Sequence, residues 1–414
     1  MTACASTVSA TLDTLRAPAT IRARCHHLLT LASHDRLQHF AYHPEYLPAV
    51  AAYVADITCA TYPTLQVPLH SRWRHLAVDR IDRIAWLAPQ LSAAAAAERA
   101  RWQFDLMITS VLLDAGAGAR WCYREEATGT TYSRSEGLAI ASLHAFLQGV
   151  FSSQAQMPWQ ADALGLQQLS EAALARALQV TPANPLPGLA GRAALLRALG
   201  ETVARKPRYF GQQAPRAGHL FDYLCACSTE GVLRAEQIFQ AVLESLSSIW
   251  PGRVQVDGVN LGDVWHHSQV AGNGPAAGLV PFHKLSQWLT YSLIEPLCEA
   301  GLTVTDLDAL TALAEYRNGG LLLDMEVLSP KDPRLLEQAQ PPESEAVVEW
   351  RALTVALVDH LADGVRALFN VSPEAFPLAR VLEGGTWRAG RAIAREKRPD
   401  GSPPLRIRSD GTVF

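Results

Sequence analysis

Between residues 350 and 369 the chain reads W-R-A-L-T-V-A-L-V-D-H-L-A-D-G-V-R-A-L-F, twenty residues in helical periodicity without a proline. Such a run is too long for a strand, and its Arg351, Asp359, Asp363 and Arg366 make it too charged to cross a bilayer. The same periodicity recurs at about 23–32, 46–60, an Ala-rich 88–114, 136–149, 217–249 and 282–298, the last expected to end near Pro296. Residues 166–200 read as helices broken by N-P-L-P-G, and 303–328 as a helix, a Gly-containing turn and a second helix. Strand signals are sparse. Thr and aromatic alternation around a glycine in W-C-Y-R-E-E-A-T-G-T-T-Y-S-R-S-E-G predicts a small hairpin, and V-Q-V-D-G-V-N-L-G-D-V-W is the best extended segment of the second half. The fold class is therefore mainly α, multihelical, with minor β hairpins. Residues 1–20 read as a lead and 21–414 as one large helical domain. A division into lobes 21–215 and 216–414, with a site between them, is an open alternative.

Hydrophobic residues make up 49% of the 414, enough to bury a large core, and charged residues only 18%. The net charge of −4 argues against a nucleic-acid-coating protein, which needs a basic face. The seven cysteines are odd in number and follow no disulfide framework, so they are read as reduced thiols of a cytoplasmic protein. M-T-A-C-A-S-T-V-S-A has no basic segment followed by an apolar run, and a secretory signal is not expected.

Four polar constellations could carry chemistry. His70-Ser71-Arg72-Trp73-Arg74-His75 crowds cationic groups into one loop. Guanidinium forks match phosphate oxygens, although they equally well tie a loop to carboxylates elsewhere. Ser133-Arg134-Ser135-Glu136 opens a helix, either as an anion-binding N-terminus or as a plain capping box. Asp263, in L-G-D-V-W, is placed to point into a cleft. His283 and Lys284 stand at the head of an apolar helix, where a lysine needs a carboxylate or a ligand anion. Finally Glu315-Tyr316-Arg317-Asn318-Gly319-Gly320, with Asp324 beyond, offers two carboxylates near a Gly pair that admits close backbone approach. The alternative is a Glu–Arg pair beside a helix C-cap. No His-Glu-x2-His pattern is present, and no metal or cofactor is expected.

The blocks H-S-R-W-R-H, S-V-L-L-D-A-G-A-G, Y-S-R-S-E-G-L-A, L-G-D-V-W, P-F-H-K-L-S-Q-W-L-T-Y-S-L, E-Y-R-N-G-G-L, V-E-W-R-A-L-T-V, L-E-G-G-T-W-x-A-G-R and S-D-G-T-V-F resemble the uracil-catabolism protein four family, long classed as a domain of unknown function. The likeness runs from about residue 21 to 414. It implies a step on a ribosylurea-type, phosphorylated intermediate from which urea is released by breaking an N-glycosidic C–N bond. P-F-H-K-L-S-Q and A-E-Y-R-N-G-G are more distantly similar to blocks of the queuosine salvage family of nucleoside 5′-phosphate hydrolases, whose helical fold is related to helix-hairpin-helix DNA glycosylases. That second likeness implies a DNA-glycosylase-like core with Lys284 in the active site. It also puts Glu315 where that family carries an aspartate, a departure of one methylene that leaves Asp263 or Asp324 as the alternative carboxylate.

On this reading Glu315 or Asp263 stabilises the cationic ribose, and His283 or Asp324 protonates the leaving nitrogen. Arg72, Arg74, Lys284 and Arg134, with His70 and Arg317, hold the 5′-phosphate. Trp73, Trp265 or Tyr316 covers the ribose. The expected partner is a small ribose-phosphate substrate, with no nucleic acid and no membrane; a homodimer is open. The competing readings are a metal-dependent amide or ureide hydrolase using Asp263, His266 and His283, and a non-enzymatic nucleotide-binding regulator built on a helix-turn-helix at 303–328.

Overall fold

A computed structural model describes residues 10–87, 94–251, 253–271 and 274–408. Residues 1–9 of the expected lead, the whole closing S-D-G-T-V-F block and the first residues of the 88–114 helix lie outside them. The principal helices are α1 (Pro18–Ser33), α2 (Leu47–Thr61), α3 (Ala96–Leu112), α4 (Arg134–Leu147), α5 (Leu189–Arg205), α6 (Leu220–Cys227), α7 (Ala235–Leu246), α8 (Lys284–Glu299), α9 (Tyr316–Asp324), α10 (Glu345–Phe369) and α11 (Trp387–Lys397). The strands are β1 (Phe40–Tyr42), β2 (Cys122–Arg124), β3 (Thr131–Ser133), β4 (Val232–Arg234), β5 (Gln255–Val256), β6 (Val259–Asn260), β7 (Val264–His266), β8 (Leu279–Pro281), β9 (Thr303–Thr305) and β10 (Leu328–Pro330). Among the described residues they pair only two by two. The protein is mainly α and multihelical.

Two compact units emerge, each assembled from separated stretches. The first takes residues 10–70, 253–287 and 306–408, the second 71–251 and 288–305, so the unit boundary falls inside α8 after Gln287.

The first unit is organised by α10. Ser344 caps it by accepting from the Val347 amide, and Asn370 closes it in the left-handed conformation. Its residues 346–358 are buried on every side, with α1, α2 and α9 packed against it. Successive helix residues point about 100° apart, so neighbours reach different segments. Glu349 accepts from the amides of His39 (3.1 Å) and Phe40 (2.8 Å) at the head of β1. Trp350 Nε1 donates to Gly319 O at 3.1 Å. Arg351 turns to the loop before β7.

The second unit packs α3 against α4 and α6. Its β2–β3 hairpin has Tyr123 opposite Tyr132, the hairpin expected from the Thr and aromatic alternation. A fully buried Arg83 pins it, reaching both Glu125 oxygens at 2.7 Å and the Tyr132 hydroxyl at 2.9 Å. β4 and β9 pair in parallel.

Two expectations need correction. Pro296 does not end α8, which continues to Glu299. The acceptor that its missing N–H leaves open is Ser292 O, which takes the Trp73 indole N–H at 2.9 Å instead. Nor does 303–328 form a helix-turn-helix: it is β9, an irregular stretch, α9 and β10, and Gly319 and Gly320 lie inside α9 rather than in a turn. Close packing explains them. A Cβ on Gly319 would fall 2.3 Å from the Trp350 indole, and one on Gly390 of α11 would fall 2.1 Å from Arg317 O. Gly319→Ala is therefore expected to lower stability by about 2–3 kcal/mol through overpacking, read as a fall in the midpoint of urea unfolding. An unchanged midpoint would mean that the α9–α10 contact yields easily.

Candidate active site

Asp263 stands immediately before β7 and receives four donors. Its Oδ1 takes Trp265 Nε1 at 2.6 Å and Arg351 Nη1 at 2.7 Å; its Oδ2 takes Arg351 Nη2 at 2.8 Å and the Lys284 amide at 2.9 Å. Its carbonyl also accepts from the Phe282 amide at 2.9 Å. One residue thus ties the approach to β7 to the exit of β8 and caps the head of α8. Burial alone would raise this carboxyl, but the two-point Arg351 fork outweighs it and holds the group far below the usual aspartate range. Arg351 lies 4.1 Å over the Phe282 ring, and its Nε donates to Ala314 O at 3.2 Å. The same guanidinium therefore fixes the residue next to Glu315.

Glu315 is the N-cap of α9. Its oxygens accept from the amides of Arg317 (2.7 Å) and Asn318 (2.6 Å). Burial pushes its carboxyl above the ordinary value, against the pull of those amides and of the Lys284 ammonium nearby. Lys284 and Glu315 are 8% and 6% exposed, so both charged groups lie largely out of water, and the ammonium is close enough to favour the Glu315 carboxylate. Arg317 donates to Gly401 O at 3.0 Å and lies 5.6 Å over the Tyr316 ring. Trp265, buried, has Arg253 5.4 Å above its ring.

His283 adjoins the cluster in the left-handed region (φ 47°) with Nε2 against Leu15 O at 3.1 Å. Burial pushes its imidazole down to about 4, so it is neutral near pH 7 and its Nε2 is the donor to Leu15.

The remaining expected residues are placed elsewhere. Asp324 ends α9, about 13 Å along the helix from Glu315, where both its oxygens meet Arg398 at 2.5–2.7 Å. His70 belongs to a separate buried group of the first unit. Its Nδ1 lies 2.8 Å from Glu383, which also receives Arg388 (2.8 Å) and Tyr62 (3.2 Å) in the π-helical turn Leu382–Thr386.

In the second unit Arg72 is wholly buried, bonded to Asp114 (2.8 Å), Ser110 Oγ (2.9 Å) and Ser135 Oγ (3.0 Å). Arg74 pairs with Glu295, and Trp73 holds Ser292. Arg72 and Arg74 are thus anchored to carboxylates and hydroxyls of the second unit. Arg134 opens α4 at φ 56°, and the Ser133 side chain makes no cap bond. Among the described residues no three His, Cys, Asp or Glu groups gather as a metal site, and no helix is long and apolar enough to cross a membrane.

Sequence reasoning gave no role to Arg351, Glu383 or Asp114, and named Asn318 only as part of its constellation. The signal for Arg351 was present: an arginine in the most apolar helix of the chain has to find a carboxylate.

Residues 14–414 match a family model described as a protein of unknown function (DUF1688). The chain belongs to that family. It is 37% identical over 402 residues to Protein urg3 of Schizosaccharomyces pombe, covering 95% of this chain and 96% of that one. It is 37% identical over 408 residues to Uracil catabolism protein 4 of Lachancea kluyveri, covering 91% and 92%. For this DUF1688 protein, Arg351→Met should cost about 3–5 kcal/mol by leaving Asp263 buried without its cation. Because Asp263 is depressed in the fold, that stabilisation is complete above the ordinary aspartate value of about 3.9 and is lost as pH falls below it. The gap between wild type and variant in urea unfolding should therefore be constant at neutral pH and narrow below about pH 4. A gap independent of pH would contradict the assignment.

Proposed function

We propose that the chain is a hydrolase of uracil catabolism that cleaves the N-glycosidic C–N bond of a 5′-phosphorylated ribosylurea-type intermediate. The observation that carries this reading is the buried Glu315 carboxylate, capped by two amides with the Lys284 ammonium nearby. The name of the Lachancea relative supports the pathway, and the likeness of P-F-H-K-L-S-Q and A-E-Y-R-N-G-G to nucleoside 5′-phosphate hydrolases supports the bond cleaved.

As the C1′–N bond breaks, positive charge grows on C1′ and the ring oxygen. A carboxylate fixed by its own helix needs no reorganisation to meet that charge, and it can align a water on C1′. As the C1′–N bond breaks, the water oxygen bonds to C1′ and gives one proton to the carboxylate; the ureido nitrogen takes a proton from solvent, and the carboxyl returns its own to solvent, giving urea and ribose 5-phosphate. Lys284 serves the phosphate, with Arg317 and Tyr316 beside it, and Trp265 shields the ribose. Asp263, whose oxygens are already taken by four donors, is a positioning group for the Lys284 and Glu315 segments rather than the reacting carboxylate.

Purified protein incubated with ribosylurea 5′-phosphate should release urea and ribose 5-phosphate in equal amounts. Glu315→Gln keeps one oxygen to cap α9 but turns an NH2 toward the second amide, so stability should fall by about 1–3 kcal/mol, while turnover of the folded protein should fall by about 100-fold or more. No urea from any ribosyl substrate would reject the reaction, and full activity in Glu315→Gln would reject the residue.

A further inference from the structure

Asn318 lies in the first turn of α9, three residues after Glu315. Its amide donates to Glu315 Oε1, and its side-chain Nδ2 donates to Leu313 O at 3.2 Å. Leu313 precedes the cap, so the carboxamide reaches back past Glu315 toward the helix start, as helical Cα–Cβ bonds incline. The orientation of the amide is fixed, because a carbonyl such as Leu313 O can only accept and must face the NH2 end. The oxygen Oδ1 is then left as an acceptor. Asn318 is fully buried, and among the described residues Oδ1 has no hydrogen-bond donor. Buried acceptors are nearly always satisfied, and this one, on the residue whose amide caps onto the Glu315 carboxylate, is open to a donor from outside the chain.

We propose that Asn318 Oδ1 accepts an N–H of the substrate's terminal amino group, which makes Asn318 the residue that selects a ureido leaving group. The proposal rests on the reading of Glu315 and Lys284 as the active site. The chemistry favours the terminal amino group over the nitrogen bonded to C1′. An acceptor on the N–H of the leaving nitrogen would push electron density onto it as it must depart, whereas the terminal NH2 can be bound without opposing cleavage. A carboxamide also suits a neutral donor: a carboxylate there would add a second negative charge beside Glu315.

The test uses an isostere. In the N-acetyl analogue, N-ribosylacetamide 5′-phosphate, a methyl group replaces the terminal amino group, with nearly unchanged shape and no donor. Wild type should prefer the urea substrate over this analogue by about 100-fold or more in kcat/KM, because the analogue leaves Oδ1 buried without a donor. Asn318→Ala should bring the ratio to within a few-fold of one, chiefly by slowing the urea substrate. A purely structural role would slow both substrates alike and leave the ratio intact. The wild-type comparison stands even if the variant does not fold. Cleavage of both substrates by wild type at similar rates overturns the role of Asn318 alone. No cleavage of any ribosyl substrate by wild type overturns the reaction itself, and this assignment with it.

Discussion

The Asp263–Arg351 fork is the contact on which the candidate site depends. Arg351 belongs to α10, the helix around which the first unit is packed, and its guanidinium meets both oxygens of a carboxylate that also caps α8 and holds the Trp265 indole. Its remaining nitrogen fixes Ala314, one residue before Glu315. Lys284 and Glu315 stand on different segments, and a single planar cation sets the position of both. A lysine could not replace it, since an ammonium offers no two-point geometry and cannot also reach Ala314 O. Such a buried pair is poor evidence for net stability, because desolvation cancels much of the attraction. What it supplies is placement.

Within that frame, opposing physical demands converge on Glu315. As an N-cap it accepts two amides, which favour its charged form; as a buried group it is pushed toward the neutral form; and the nearby ammonium pulls it back. A carboxylate balanced in this way is suited to reacting charge in a manner that Asp263 is not, since Asp263 is held firmly ionised by its fork. Environment, more than residue type, separates the two roles. The glycines of E-Y-R-N-G-G serve the same end from the packing side: Gly319 lets α9 seat against Trp350, one residue from Arg351.

Much of the helical fold was legible in the sequence, because 3.6-residue periodicity and turn residues act locally. α1, α2, α4 and α10 and the β2–β3 hairpin lie where that pattern puts them. The errors came where tertiary contact overrides local preference. Pro296 is tolerated because Trp73 takes the orphaned carbonyl, and Gly319 is helical because an indole presses on it. The site was half legible. Lys284, Glu315 and Asp263 stood out as polar groups at the edges of apolar segments. The uses of Arg72 and Asp324 could not be read, because their carboxylate and arginine partners, Asp114 and Arg398, are 42 and 74 residues away in the chain. Spacing carries no information on such pairs.

The most direct measurement is a crystal structure of the Glu315→Gln protein soaked with ribosylurea 5′-phosphate. C1′ of the ribose should lie against the residue 315 side chain, with the phosphate on Lys284. The ligand bound at a different place in the molecule, with Lys284 and residue 315 untouched, would contradict it.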